Sequence, residues 1–306
     1  MRGQTPRLEA RFKGPCIMRR TPGPARVRPS AGGGHDDARG AMTEAREDGP
    51  ILLTEDLGPV RRLTLNRPAS LNALNGDLMD ALEAAFDAAG EDDEVRVVVL
   101  RGAGRAFCAG YDLNQDAEEG TKDAAGWRRE LDRDTKRLLR ILELPKPVIA
   151  SVHSYCLAGG TDLMLACDLA VAADDAMFGY VDVRFGSGVV SMFLPWVVGV
   201  RTAKELVFTG ADRIPAAEAL RIGLVNRVVP RDELEDATMA LADEIAKNEP
   251  FVVRSMKASI NRVWEIAGLR AALDANTEMD VMIETANLPA RDEFRRITQE
   301  EGLKAA

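Results

Sequence analysis

Two short stretches of this 306-residue chain combine carboxylates with bare backbone, the residue types needed to move protons beside a developing anion. In "LAGGTDLMLACD", residues 157–168, Gly159 and Gly160 stand directly before an apolar run that carries one carboxylate, Asp162. At the amino end of a helix the first N–H groups have no internal partner and the macrodipole is positive, so an anion is attracted there. With no side chain in the way, an oxyanion can approach the Gly159 N–H; close packing of helix on sheet also calls for glycine. Asp162 suits either of two roles. A first-turn carboxylate steadies a helix end by roughly 0.3 to 1 kcal/mol, and an acid or base beside the anion site does chemistry.

The second stretch, "MFGYVDVRFG", sets Asp182 between Val181 and Val183. Aspartate is unfavourable in a strand interior and costly to bury unpaired, so Asp182 reads as a turn residue or a functional group. A third segment, "GRAFCAGYDL" at residues 104–113, leaves backbone accessible at Ala109 and Gly110. It follows an apolar strand, and ligands of open α/β sheets gather beyond the carboxyl ends of strands. This loop is a candidate N–H donor or a tight turn. His153 reads as structural, and Cys108 and Cys156 as small buried cysteines.

The elements that must position these residues alternate along the chain. "ILLTEDLGPVRRLTLNR" reads as a hairpin turning at Gly58 and Pro59, with Val60, Leu63 and Leu65 as apolar strand positions. Leu78, Leu82, Ala85, Phe86 and Ala89 then recur at helical spacing until Gly90. "VRVVVLRG" is a strand, and a longer helix marked by Trp127, Leu131, Leu138, Leu139 and Leu142 halts at "LPKP". "PVIASV" and "DLAVAA" are buried strands flanking the glycine-led helix. Such alternation predicts an α/β domain. From about Ile214 the pattern predicts helices alone, starting near Pro215, Arg231, Pro250 and Gly268.

Charge and composition narrow the function classes. The chain is 46% hydrophobic with a formal charge of -9. Residues 1–41 hold nine Lys and Arg against three Asp and Glu, so residues 42–306 carry -15. That body lacks the basic excess of a nucleic-acid binder. Four cysteines without a CxxC pair, and two histidines, His35 and His153, argue against a metal site or a disulfide framework. No apolar run approaches the roughly 20 residues that span a bilayer, so a soluble cytoplasmic protein is expected. Residues 1–41, rich in Arg, Pro and Gly, read as a disordered tail, sequence upstream of a start at Met42, or a transit peptide. The expected organisation is that tail, an α/β core over 42–210 and a helical region over 211–306.

Three segments in order, "FCAGYDL", "PKPVIASVHSYCLAGGTDLMLACDLAVAADDAMFG" and "ELVFTGADRIPAAEALRIGLVNRVVP", resemble the crotonase superfamily, the enoyl-CoA hydratase/isomerase family. The resemblance implies a spiral of ββα units followed by a helical trimerisation region, acting on acyl-CoA thioesters as a homotrimer or hexamer. It implies no separate cofactor, because coenzyme A belongs to the substrate. The family's two oxyanion-hole N–H groups fall on Tyr111 and Gly159, and its coenzyme A contacts on Ser70, Leu71 and Ala109. Arg67, Arg105, Arg295 and Arg296 are either phosphate contacts or scattered surface arginines.

Asp162 and Asp182 match positions where family hydratases carry glutamates that hold the added water. Each is one methylene shorter, losing roughly 1.3 Å of reach. The glycine-rich "PGAGG" turn of hydratases is replaced here by "VVSMF", residues 189–193, which puts bulk near the acyl pocket. The resemblance therefore implies enolate chemistry, with water addition to a 2-enoyl-CoA as the first reading. Double-bond isomerisation of an enoyl- or dienoyl-CoA and a non-catalytic acyl-CoA-binding scaffold are the alternatives. Residues 114–126 form a polar loop of the kind that shapes an acyl pocket.

Overall fold

In the computed structural model, which describes residues 49–113 and 122–301, the predicted hairpin is present. β1 (Leu52–Leu57) runs antiparallel to β2 (Val60–Leu65), and Gly58 takes the positive φ of 62° that the turn between them requires. β3 (Val97–Gly102), β5 (Val148–Val152), β7 (Leu169–Ala173) and β10 (Arg227–Val229) add in parallel, giving a six-stranded sheet ordered β1-β2-β3-β5-β7-β10. After each of β3, β5 and β7 the chain enters a second sheet, through β4 (Ala106–Cys108), β6 (Tyr155–Leu157) and β8 (Met177–Gly179) respectively. That sheet is ordered β4-β6-β8-β9, its last strand β9 being Ile214–Pro215.

Helices return the chain to the larger sheet. α1 (Gly76–Glu91) precedes β3, α2 (Ala124–Glu143) precedes β5 and α3 (Gly159–Ala166) precedes β7. Asn75 caps α1 by accepting from the Leu78 N–H at 3.0 Å, and the helix runs one residue past Gly90. The central strands β3, β5 and β7 are buried on both faces, as parallel strands require. Val98 and Leu100 of β3 join the main core with Leu78 and Phe86 of α1 and Leu138 of α2, while Val97 and Val99 pack towards Leu241 and Ala242 of α7 (Leu234–Ala246). A repeating strand–strand–helix spiral is thus the fold that the resemblance implied.

The expected loss of sheet after Ile214 is corrected. β9 extends one sheet and β10 the other, and strands of two and three residues are too short to show a period of two. The described residues all lie in one compact unit. α4 (Leu194–Val198) and α5 (Val200–Phe208) precede β9, and α6 (Ala216–Arg221) lies between β9 and β10. After α7 follow α8 (Pro250–Ala267), α9 (Leu269–Thr285) and α10 (Pro289–Glu301), so the helical C-terminal region stands. The expected tail over 1–41, and 114–121 of the polar loop, lie outside the described residues.

One buried ion pair ties α8 to the sheet. Lys257 Nζ donates to Asp168 Oδ2 at 2.7 Å and to the Lys146 carbonyl at 3.1 Å, while the Val148 N–H donates to the same carboxylate oxygen at 2.7 Å. Replacing Lys257 by Met leaves Asp168 buried without its counter-charge. Urea unfolding of Lys257→Met should show a loss of about 3 to 5 kcal/mol; an unchanged midpoint and slope would mean the pair does not anchor α8.

Candidate active site

α3 begins without a side-chain cap. Ala158 precedes it at φ 48° and ψ -127°, and the Thr161 and Asp162 N–H groups both turn back to the Ala158 carbonyl, at 2.8 and 3.3 Å. All eight residues of the helix are buried. A Cβ on Gly160 would lie 2.5 Å from the Cys108 carbonyl oxygen, and one on Gly159 would lie 2.5 Å from two ring carbons of Tyr111. Close approach therefore accounts for both glycines. It also leaves the Gly159 N–H at the head of a helix, where no intrahelical acceptor exists.

Tyr111 reaches the same place from the other side. The Leu74 N–H donates to the Gly110 carbonyl at 2.8 Å and the Asp112 N–H to the Leu74 carbonyl at 3.0 Å, forming a parallel bridge between Leu74 and Tyr111. In that pattern the N–H of Tyr111 itself is directed away from Leu74. Gly110 has φ 109°, and a methyl group on it would sit 3.4 Å from the Gly159 nitrogen. The two N–H groups expected to act together are thus carried on adjoining backbone.

The loop bearing Ser70 and Leu71 is latched to this turn. Ala109 N–H donates to the Leu71 carbonyl at 3.1 Å. Leu71 and Ala109 are brought together, with Ser70 next to them, and the Ala109 N–H is already engaged. Buried Asn72 holds the latch by donating to the carbonyls of Ala103, Ala106 and Phe107, at 2.9, 2.8 and 3.2 Å, and accepting from the Arg67 N–H at 2.9 Å. Arg67 is corrected as a phosphate contact. Its guanidinium pairs with Asp112 at 2.9 Å and bonds the Ala73 carbonyl, largely buried. Arg296 pairs with Glu293 at 2.7 Å on the surface, Arg105 is exposed, and the side chain of Arg295 lies outside the description.

The carboxyls define the site. Among the described residues five buried side-chain oxygens lack a hydrogen-bond partner: Asp162 Oδ1, Asp182 Oδ2, Asp280 Oδ1 and the hydroxyls of Tyr111 and Tyr180. They share one neighbourhood, because the charges of Asp162 and Asp182 act on both hydroxyls and Asp182 and Asp280 act on Asp162. Burial, then the charge of Asp182, pushes the Asp162 carboxyl well above the usual range, opposed by the Ser191 N–H, which donates to Oδ2 at 3.3 Å. Burial pushes Asp182 up to about 7. It opens the 3-10 turn Asp182–Phe185, as the turn reading expects. His153 is buried and its Nε2 bonds the Gly104 carbonyl at 3.1 Å, a structural role.

Several contributors were not read from the sequence. The hydroxyls of Tyr111 and Tyr180 belong to no motif that spacing marks, and only their lack of a partner singles them out. In the "VVSMF" segment Val189 and Phe193 do supply core bulk, but its Ser191 backbone also orients Asp162. Asp280 lies on α9, outside every motif, and no short-range signal points to it.

A family model described as enoyl-CoA hydratase/isomerase matches residues 57–291. A short-chain-enoyl-CoA hydratase of Clostridium acetobutylicum is 38% identical over 218 residues, covering 69% of this chain and 81% of that protein. The crystal structure of an enoyl-CoA hydratase/isomerase from Xanthobacter autotrophicus Py2 superposes with a TM-score of 0.81 at 41% identity, covering 84% of this chain and 95% of that one. That of a probable enoyl-CoA hydratase from Mycobacterium thermoresistibile gives 0.70 at 38% identity, covering 76% and 96%.

Because burial lifts the folded Asp182 carboxyl from its ordinary 3.8 to about 7, it carries no ionisation penalty for folding below the lower value. The penalty builds as pH rises between the two values and is complete above the higher one. Thermal melts of Asp182→Asn should therefore show a gain over wild type at pH 8 and little change at pH 4. An equal gain at both pH values would contradict a buried, titrating carboxyl.

Proposed function

The chain belongs to the enoyl-CoA hydratase/isomerase family, and we propose on that premise that it adds water across the double bond of a 2-enoyl-CoA thioester. One observation carries the reading: Asp162 and Asp182 present buried, unpartnered oxygens within electrostatic reach of each other. Two such acids do not both ionise, so the pair retains a proton and divides into one acid and one base. Water addition needs that division, because one proton goes to the α-carbon and another leaves the water. Shuttling a proton between carbons needs only one carboxyl. The Clostridium acetobutylicum relative carries the name of a hydratase.

In this reading the N–H groups of Tyr111 and Gly159 bind the thioester oxygen and stabilise the enolate that forms on it. Loss of one donor in comparable oxyanion holes costs about 2.7 to 4 kcal/mol. Asp162, steadied by the Ser191 N–H, takes a proton from the water that attacks the β-carbon. The proton that the pair retains rests on Asp162 in the free site, under the charge of Asp182; its transfer to Asp182 leaves Asp162 as the base, and Asp182 then gives that proton to the α-carbon. Ser70, Leu71 and Ala109 line the coenzyme A path, and the reaction uses no separate cofactor.

A homotrimer or hexamer is supported by the exposed apolar stripe of α8. Val252, Met256, Ile260 and Val263 recur at helical spacing, and each is more than half exposed. The acidic body opposes a nucleic-acid partner. Among the described residues no helix is long and apolar enough to cross a membrane, and a cytoplasmic location fits this reading.

Loss of the conjugated-thioester absorbance of crotonyl-CoA tests the assignment. Asp162→Asn and Asp182→Asn should each lower kcat by about 10²- to 10⁴-fold with little change in KM. Wild-type protein that binds enoyl-CoA of several chain lengths without hydrating any would leave the scaffold reading in its place.

A further inference from the structure

Ser191 does not hold its N–H towards Asp162 unaided. A peptide unit is planar, with its carbonyl and its N–H on opposite sides of the C–N bond, so fixing one end aims the other. The unit between Val190 and Ser191 donates its N–H to Asp162 Oδ2 at 3.3 Å. Its carbonyl accepts twice, from Thr135 Oγ1 on α2 at 3.4 Å and from Asn276 Nδ2 on α9 at 3.3 Å. Asn276 also donates to the Val189 carbonyl at 2.8 Å, and the Ser191 hydroxyl donates to Thr135 Oγ1 at 3.1 Å. Two helices from distant parts of the chain thus clamp one peptide, and the far end of that peptide meets the candidate base.

Thr135, Ser191 and Asp162 are all buried. Away from water, donors on a carbonyl polarise the unit and strengthen its N–H, by roughly 10–30% per bond. Turned over, the unit would face Asp162 with the Val190 carbonyl, which accepts only from the protonated acid. The direction of this one peptide therefore decides which form of Asp162 the segment supports. Filling space needs neither hydroxyl, because valine at 135 and alanine at 191 would pack without one.

We propose that Thr135 and Asn276 are positioning residues of the active site, which lock the Val190–Ser191 peptide with its N–H on Asp162 and so favour the carboxylate that takes the proton from water. The base role rests on the hydratase reading; the lock does not. The groups around Asp162 leave this task to the peptide. Burial raises Asp162, as do the charges of Asp182 from the turn after β8 and Asp280 from α9, and the Ser191 N–H opposes them. Also facing it are the hydroxyls of Tyr111 and Tyr180 and the Cys156 thiol of β6. On α2, Asp134 is pushed up to about 6, chiefly by burial, with Arg133 and Arg137 set against it, and α4 carries no titratable side chain. No cation is among the charges acting on Asp162, so its ionised form depends on that N–H.

Thr135→Val keeps the shape of the side chain and removes its hydroxyl. Infrared titration of the protonated carboxyl bands reads the result, the Asp162 band being identified by its loss in Asp162→Asn. In Thr135→Val that band should persist to a pH about one unit higher than in wild type, and Thr135→Ser, which restores the hydroxyl, should return it. Asn276→Leu, which cuts the hold from α9, should move the band the same way. On the hydratase reading kcat at neutral pH falls about tenfold in step with that unit, while KM changes little. A titration that superimposes on wild type in either folded variant overturns the proposal, whatever the activity. A shifted band in a protein whose wild type does not hydrate crotonyl-CoA overturns the hydratase reading and leaves the lock in place.

Discussion

Burial of the Asp162 carboxyl on the first turn of α3 is the constraint around which this protein is arranged. A carboxyl at 1% exposure with an unpartnered oxygen is costly, and the fold meets that cost by surrounding it with groups that share or steer its proton. The helix must enter at close range, so Gly160 lies against the Cys108 carbonyl and Gly159 under the Tyr111 ring. The chain must also turn sharply into it, and Ala158 takes a positive φ to do so. Ser191 then supplies the N–H that orients one carboxyl oxygen and leaves the other open to the site.

The two sheets serve this arrangement. Each passage from the larger sheet to the smaller one ends in a turn, and the passages through β4, β6 and β8 deliver Tyr111, Gly159 and Asp182 in that order. The turns come together because β4, β6 and β8 are neighbours in one sheet. Asn72 fixes the first of them by satisfying three carbonyls at once, which a shorter side chain does not reach. The helices after α7 are the other half of the design, with Lys257 anchored at Asp168 and the face of Asn276, Asp280 and Glu284 against residues 187–190.

What the sequence disclosed follows the range of each signal. Gly159, Gly160 and Asp162 share one helical turn, so their grouping at the helix start was readable from spacing, as were the hairpin at Gly58 and the periodic helices. The backbone role of Tyr111 came through the resemblance, and the bridge to Leu74 supplies its geometry. Long-range pairings were not readable. Arg67 read as a phosphate contact or a surface arginine because Asp112, its partner, stands 45 residues away in sequence. Asp280 looked like any polar position of an amphipathic helix, and the unpartnered hydroxyl of Tyr180 gives no sign in a run of apolar neighbours. Strands as short as Ile214–Pro215 carry no period at all.

The central claim is that a proton-sharing carboxyl pair adds one water to an enoyl thioester. Mass spectrometry of the product formed from crotonyl-CoA in ¹⁸O-labelled D₂O tests it most directly. The account predicts a hydroxyacyl-CoA with one ¹⁸O on the β-carbon and one deuterium on the α-carbon. A product that has kept the composition of the substrate, with deuterium but without ¹⁸O, would contradict it and identify an isomerase.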